Sequence, residues 1–345
     1  MSKEFGTLAH WWNGLLEQVI GKLCSRKYNG WSAIWDGGIT RGMRADDVPW
    51  YYKGGDKDMP MSTGLWSLGR DNKPKVIHAP KYFTKHLPLG IPVHGELWYN
   101  DRIDIIKRYC SRKIMYHPIW YAIQFIAFNI KPYELWEGIK ILKSHYTYEN
   151  NLKYIDSKRT TINITHNIDK NIVYSDTLTI LGFYINDTFK VIEPELILLE
   201  GDLIKMQTKA IKEKWEGLMF ANPNGLYELC RSWNNLKWKP EYDAEAAIHD
   251  YEKGKTGKNI GKVGALWASL VWDKQVISIH GGDASMVGKE AVFKIGGLTD
   301  VEREWKFCKR KYPTGSRIKF KFTSVSVHGT PQSCNIYREK NNEIF

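Results

Sequence analysis

The apolar residues of this chain come in short runs broken by glycine, proline and charge, a pattern that builds sheets rather than long helices. Trp31 to Trp35, Val93 to Trp98 and Trp120 to Ile130 are such runs, and the last is apolar on both alternating faces, as a buried central strand is. No stretch of about 18 uninterrupted apolar residues occurs, and the opening MSKEFGTLAHWWNGLL lacks both a basic n-region and a small-residue cleavage site. The reading is a soluble, non-secreted, cytoplasmic protein with no membrane contact. At 345 residues the chain is long enough for about two domains of ordinary size. A hydrophobic share of 43% and an aromatic share of 13% exclude wholesale disorder.

Composition marks where the parts meet. Residues 133–143 (YELWEGIKILK) and 195–214 carry helical spacing. From about 145 to 175 the chain turns to Asn, Thr, Tyr, Ile and Lys, which reads as a β-rich insertion or a surface elaboration. Pro240 ends the strand-like LKWK, and a glycine-lysine loop (GKTGKNIGKVGAL) follows. The domain boundary is placed there, giving 1–239, with an insertion around 145–190, and 240–345. The second part holds ALWASLVW, VISIH, AVFKI, RIKFKF and CNIYRE between glycine-rich turns, the size and spacing of a small barrel.

Lysine and arginine exceed aspartate and glutamate by 50 − 38 = 12, a field attractive to polyanions, so nucleic acid is the first partner to consider. The five cysteines, 24, 110, 230, 308 and 334, are odd in number and contain no C-x-x-C pair, so reduced thiols are expected and neither a zinc ribbon nor a disulfide framework. The histidines, His117 and His249 among them, lack metal-ligand spacing and read as structural, and Trp11 and Trp12 read as packing residues. No Walker or Rossmann glycine motif is present, which disfavours P-loop kinases and dinucleotide dehydrogenases.

The chemistry-bearing residues form an ordered series. Lys27 stands in Ser25-Arg26-Lys27-Tyr28-Asn29-Gly30-Trp31, between a cation and aromatic rings, where a lysine can serve as a nucleophile. Downstream come His94-Gly95-Glu96-Leu97, Phe128, Glu216-Gly217 and Lys237-Trp238-Lys239. On a strand, Lys237 and Lys239 share a face and can aim two ammonium groups at one polyphosphate. Glu96 and Glu216, each beside a glycine, suit a divalent metal or a ribose hydroxyl, and Phe128 offers a flat ring for a purine.

This series resembles the ATP-dependent DNA ligases of the compact phage and bacterial type, within the covalent nucleotidyltransferase superfamily. The family's K-x-D-G-x-R box is similar to Lys27-Tyr28-Asn29-Gly30-Trp31-Ser32, and its motif Ia arginine to Arg41. Its D-G-E-L is similar to His94-Gly95-Glu96-Leu97, its motif IIIa aromatic to Phe128, its E-G pair to Glu216-Gly217 and its K-x-K to Lys237-Trp238-Lys239. Tyr227, Arg231 and Ser232 resemble the Y-E-x-x-R-S stretch of compact members. Past the boundary, Asp243 to Ala246, the GKTGKNIGKVGAL loop, Gly297 to Asp300 and Gly329 to Pro331 resemble the family's oligonucleotide-binding barrel. Three letters depart: Asn29 for aspartate, Ser32 for arginine and His94 for aspartate.

The resemblance implies an α+β nucleotidyltransferase domain (ATP-grasp-like, antiparallel sheets with helices) followed by an all-β OB-fold barrel. It implies a DNA ligase that seals 5′-phosphate/3′-hydroxyl nicks in duplex DNA through a lysyl-AMP intermediate, with ATP and Mg²⁺. Lys27 would be the nucleophile. Ser25, Arg41, Glu96, Phe128, Glu216, Lys237 and Lys239 would bind the nucleotide, and Glu96 and Glu216 the metal. The nicotinamide module and four-cysteine zinc finger of NAD-dependent ligases are not found, so ATP is the expected donor. The enzyme is expected to act as a monomer on nicked duplex DNA, in the host cytoplasm if phage-encoded. The other classes are an RNA ligase or capping-type enzyme, since K-x-N-G is not the usual DNA-ligase box, and a nucleic-acid-binding module without chemistry.

Overall fold

The computed structural model describes residues 5–51, 60–68, 74–110, 117–136, 170–272, 287–326 and 329–338. The chain divides into two compact units, Met1–Trp238 and Lys239–Phe345.

The first unit is built on two sheets. Its strands are β1 Leu8–Trp11, β2 Leu23–Lys27, β3 Trp31–Asp36, β4 Leu65–Leu68, β5 Pro74–Val76, β6 Pro92–Trp98, β7 Gln124–Ile130, β8 Phe189–Val191, β9 Glu195–Leu196, β10 Gly217–Ala221 and β11 Arg231–Trp238. One sheet runs β5-β4-β3-β6-β7-β8 and the other β1-β11-β10-β2-β9. The expectation of antiparallel sheets is corrected at two edges. β1 pairs with β11 and β8 with β7 in parallel, so both sheets are mixed.

Alternation decides which side chains go where. In the six-stranded sheet Ala33, Trp35, Val93, Leu97, Phe125 and Ala127 enter one core, covered by helices Ile103–Cys110 and Tyr174–Gly182. Ser32, His94, Glu96, Ile126 and Phe128 occupy alternate positions and take the opposite face. In the five-stranded sheet Cys24, Leu218, Phe220 and Leu236 pack with Leu203, Met206 and Ala210 of helix Glu200–Lys212. Ile126 of β7 and Ala221 of β10 join Tyr174 and Ile192 in a smaller cluster drawn from both sheets.

Several sequence expectations shift by a few residues. The run Trp120 to Ile130 opens with a 3-10 turn, Pro118–Tyr121, because Pro118 and the His117 ring, which accepts the Ile119 N–H at 3.2 Å, favour a capped turn there. The helix over 133–143 begins only as the turn Tyr133–Leu135, and its remainder lies outside the described residues. Helix 195–214 appears as Glu200–Lys212. Of the insertion around 145–190, residues 145–169 lie outside the described residues, whereas Tyr174–Gly182 and β8 belong to the packed framework. Trp12 packs on its sheet's core, but Trp11 is 52% exposed beneath Lys237.

The second unit contributes β12 Tyr242–Lys253, β13 Val263–Val271, β14 Glu290–Ile295, β15 Arg317–Phe322, β16 Ser324–Val325, β17 Pro331–Gln332 and β18 Asn335–Ile336. Five of these form an antiparallel sheet ordered β14-β13-β12-β15-β18, and the short β16 and β17 pair with each other. VISIH lies outside the described residues. A bridge between Gly296 and Asn335 draws the two edges together, with Gly296 N on Cys334 O at 2.9 Å and Ile336 N on Gly296 O at 3.1 Å. The unit is not purely β: helix Trp305–Lys311 contributes Cys308 to its core. All five cysteines are free, as expected, and burial pushes the thiols of Cys24, Cys110 and Cys334 up to about 12.

Candidate active site

Lys27 is the last residue of β2, and β10 runs antiparallel to it with Gly217 opposite Lys27. That register puts Glu216, just before Gly217, beside the lysine, and the Lys27 ammonium donates to Glu216 Oε2. The same pairing sets Ser25, buried, opposite Met219, which in turn faces Lys237 of β11.

Glu96 arrives from the other sheet. Ser32 pairs with Glu96 across β3 and β6, and the turn from β2 to β3 brings the Gly30 N–H to Glu96 Oε1 at 2.9 Å. Only glycine fits there, because a Cβ on Gly30 would lie 2.3 Å from Leu97 O and 2.7 Å from Glu96 Cγ. Burial, with the charges of Glu216 and Asp101, pushes the Glu96 carboxyl up to about 7 against the opposing pull of Lys27 and Gly30. Two carboxylates and a lysine thus act on one another in a partly buried space.

Asp101 has no motif letter and is the main residue that sequence reasoning missed. It follows Asn100, and both have left-handed backbone, φ 46° and 56°. Its carboxylate accepts from Arg26, from Trp98 Nε1 at 2.8 Å and from Asn29 N at 3.3 Å, while Asn29 Nδ2 donates to its carbonyl at 3.1 Å. Arg26 lies 4.8 Å from the Tyr28 ring centroid and 5.3 Å from that of Trp98. The only sequence signal was the Asn-Asp pair after a strand, a turn former.

His94 is buried, with Ser32 Oγ 3.1 Å from Nε2 and Tyr227 Oη 2.8 Å from Nδ1. Burial, helped by the Lys131 charge, pulls its pKa down to about 3, so the ring is neutral. Its centroid is 4.6 Å from that of Phe128. Lys237 stands 4.8 Å from the Trp11 ring centroid. The structure therefore joins Lys27 to Glu216 by an ion pair, brings Glu96 within electrostatic reach of both, and places Ser25, Phe128 and Lys237 on strands of the same two sheets. Arg41 is exposed on the loop that follows β3, and Lys239 opens the second unit.

No protein-family model matches the chain. A DNA ligase of African swine fever virus is 32% identical over 101 residues, 28% of this chain and 23% of that relative. The chain thus matches under a quarter of the length of such curated relatives. A solved structure from a structure-function study of Lig E DNA ligases, described as binding DNA with a minimal scaffold, superposes with a TM-score of 0.59. It covers 99% of this chain and 100% of that one at 20% identity. The chain has the DNA-ligase fold. A second structure, Pmar-Lig_PreS3, gives a TM-score of 0.63 at 17% identity over 98% of this chain and 68% of its own. The expected resemblance to DNA ligases is borne out, and the ligase fold accounts for the mixed sheets with flanking helices. Among the described residues no helix is long and apolar enough to cross a membrane.

Proposed function

We propose that the chain is an ATP-dependent DNA ligase that seals 5′-phosphate/3′-hydroxyl nicks in duplex DNA. The observation that carries this is the contact of Lys27 with Glu216 beside Glu96, in a chain whose fold matches a Lig E ligase over nearly its whole length. In the first step Lys27 Nζ, held beside Glu216 and having lost a proton to solvent, attacks the α-phosphorus of ATP. A nitrogen–phosphorus bond forms, the α–β bridging bond breaks and pyrophosphate leaves. The AMP then passes to the 5′-phosphate of the nick, and the 3′-hydroxyl displaces it. Each step is an in-line displacement in which positioning and charge stabilisation do most of the catalysis.

Phe128 would stack on the adenine, Ser25 and Glu96 would hold nucleotide polar groups, and Lys237, Lys239 and Arg41 would neutralise phosphates. Mg²⁺ fits the donors present. Glu96 and Glu216 are hard oxygen ligands, the charge of Glu216 raises the cost of ionising Glu96, and Mg²⁺ commonly uses one or two carboxylates plus phosphates and waters. Among the described residues no group of three or more His, Cys, Asp or Glu is placed to hold a metal. When bound, the ion would neutralise charge on the phosphate oxygens. The second unit, read as the OB-fold, would grip the duplex, with the protein acting as a monomer in the cytoplasm.

The test is incubation with α-labelled ATP and Mg²⁺ followed by denaturing electrophoresis. A labelled band is expected in the wild type and none in Lys27→Ala. Sealing of nicked DNA but not nicked RNA is then expected to separate a DNA ligase from an RNA ligase. Salt-sensitive DNA binding without any adduct would leave a binding module.

A further inference from the structure

Two of the three positions at which the motif letters depart, Ser32 and His94, bond to each other at 3.1 Å. Tyr227 takes the other ring nitrogen at 2.8 Å, and its hydroxyl also accepts the Thr7 N–H at 3.4 Å. A neutral imidazole has one donor and one acceptor, and two hydroxyls satisfy either tautomer, so the ring is held at both ends. Phe128 is the neighbour that this arrangement serves. In the pairing of β6 with β7, His94 faces Asn129 and Gly95 faces Ala127, which leaves Phe128 as the extra residue of a bulge. A bulge re-aims a side chain and loosens the ladder around it. Phe128 is only partly buried and packs at the edge of the cluster of Ile126, Tyr174, Ile192 and Ala221. The His94 ring adds a directed ring contact to that packing, 4.6 Å between centroids with the planes 51° apart.

We propose that His94, clamped by Ser32 and Tyr227, is a positioning residue that fixes the Phe128 ring as the shelf for the nucleobase of ATP. This rests on the proposed nucleotide-binding role of the site. The clamp is uncharged and its ring packs on Phe128, whereas the charges proposed to act on the phosphates are those of Lys27, Glu96 and Glu216. Losing the clamp therefore weakens recognition of the base and leaves the chemistry of the α-phosphate alone.

Tyr227→Phe removes one hydroxyl and keeps the packing, and His94→Gln keeps hydrogen-bonding atoms but loses the ring. For Lys27 adenylylation, both are expected to raise KM for ATP about 3- to 10-fold, the range of an aromatic pair contact. The maximal rate should stay within about two-fold, as for a change in uniform binding. Inorganic tripolyphosphate, which has no base, should inhibit the variants as it inhibits the wild type. An unchanged KM in folded Tyr227→Phe overturns the proposal. So does a parallel loss of ATP and tripolyphosphate affinity, which marks a general structural defect. If the wild type forms no adduct, the adenylylation reading falls separately. The same comparison is then made on ATP binding by tryptophan fluorescence, where a weaker Kd in Tyr227→Phe supports the clamp and an unchanged one overturns it. Absence of ATP binding in the wild type overturns both.

Discussion

At the scale of the residue, Asp101 shows how a lost motif letter can be made up from elsewhere in the chain. Asn29 lacks the carboxylate of the K-x-D-G pattern, yet its amide and side chain are both tied to Asp101, whose carboxylate also takes Arg26. A negative charge therefore stands beside the Lys27 turn after all, delivered by the turn that follows β6. Asp101→Asn isolates the charge, because asparagine tolerates the left-handed backbone at φ 56° and has nearly the same shape. Arg26 would then lie among Tyr28 and Trp98 without its anion. The pair is part exposed, so the expected loss is modest, about 1 kcal/mol in urea unfolding. Asp36 gives a pH signature. It is fully buried, and although Thr40 Oγ1, Trp66 Nε1 and Gly38 N donate to it, burial pushes its carboxyl up to about 6 from an ordinary 3.8. The folded state therefore holds this proton more tightly than the unfolded one. Its contribution is full below the unfolded value and is lost as pH rises through about 6. Asp36→Asn should remove that component of the decline in Tm between pH 4 and 6, read by thermal melts at intervals across the window.

At the scale of the element, the β2–β3 turn decides whether the site exists, because it carries Lys27 from one sheet to Gly30 on the other. Gly30→Ala would drive a methyl into Leu97 O and the Glu96 side chain. A loss of about 1–3 kcal/mol is expected from this overpacking, with a larger loss of adenylylation, because Glu96 is pushed off its Gly30 hydrogen bond. Denaturant melts set beside adduct yield would separate the two. This turn is also where the sequence was most readable. A lysine, a turn-forming Asn-Gly and then a strand define the local geometry without help from the rest of the fold, and β3, β6 and the core of β7 follow from short apolar runs bounded by turns. Elements fixed by distant partners were not readable. The parallel edges β1 and β8 depend on what lies beside them, the bulge at Phe128 on the register of β6 against β7, and the Asp101 turn on Arg26 and Asn29. The ordered motif letters named Lys27, Glu96 and Glu216, which the structure brings near one another. The identity of His94 as a buried neutral clamp needed Tyr227, 133 residues away in sequence.

At the scale of the whole molecule, a net charge of +12 sets the expectation of nucleic-acid binding, but the structure shows that not every cation is equally available. In the loop of the second unit, Lys255 pairs with Glu252 at 2.8 Å, Lys258 with Asp300 at 2.9 Å and Lys262 with Glu304 at 2.7 Å. Lys253, at the end of β12, is exposed and has no ion pair among the described residues. Exposed pairs hold only about 0–1 kcal/mol, so a phosphate can displace an acid from them. The exchange still leaves the acid behind, and the pair brings no net positive charge to the DNA. An unpaired lysine that meets a phosphate releases a full condensed counterion, with a slope of about −0.9 in log K against log salt for each phosphate neutralised. Nicked-duplex affinity is therefore expected to fall steeply with salt. Lys253→Ala should flatten that slope by about 0.9, and Lys258→Ala by clearly less, because Asp300 already offsets its charge. Titrations of labelled nicked duplex over a range of salt concentrations make the comparison. Equal flattening by the two variants would mean that the ion pair opens completely on the DNA, and no flattening by either would remove this loop from the DNA-binding surface.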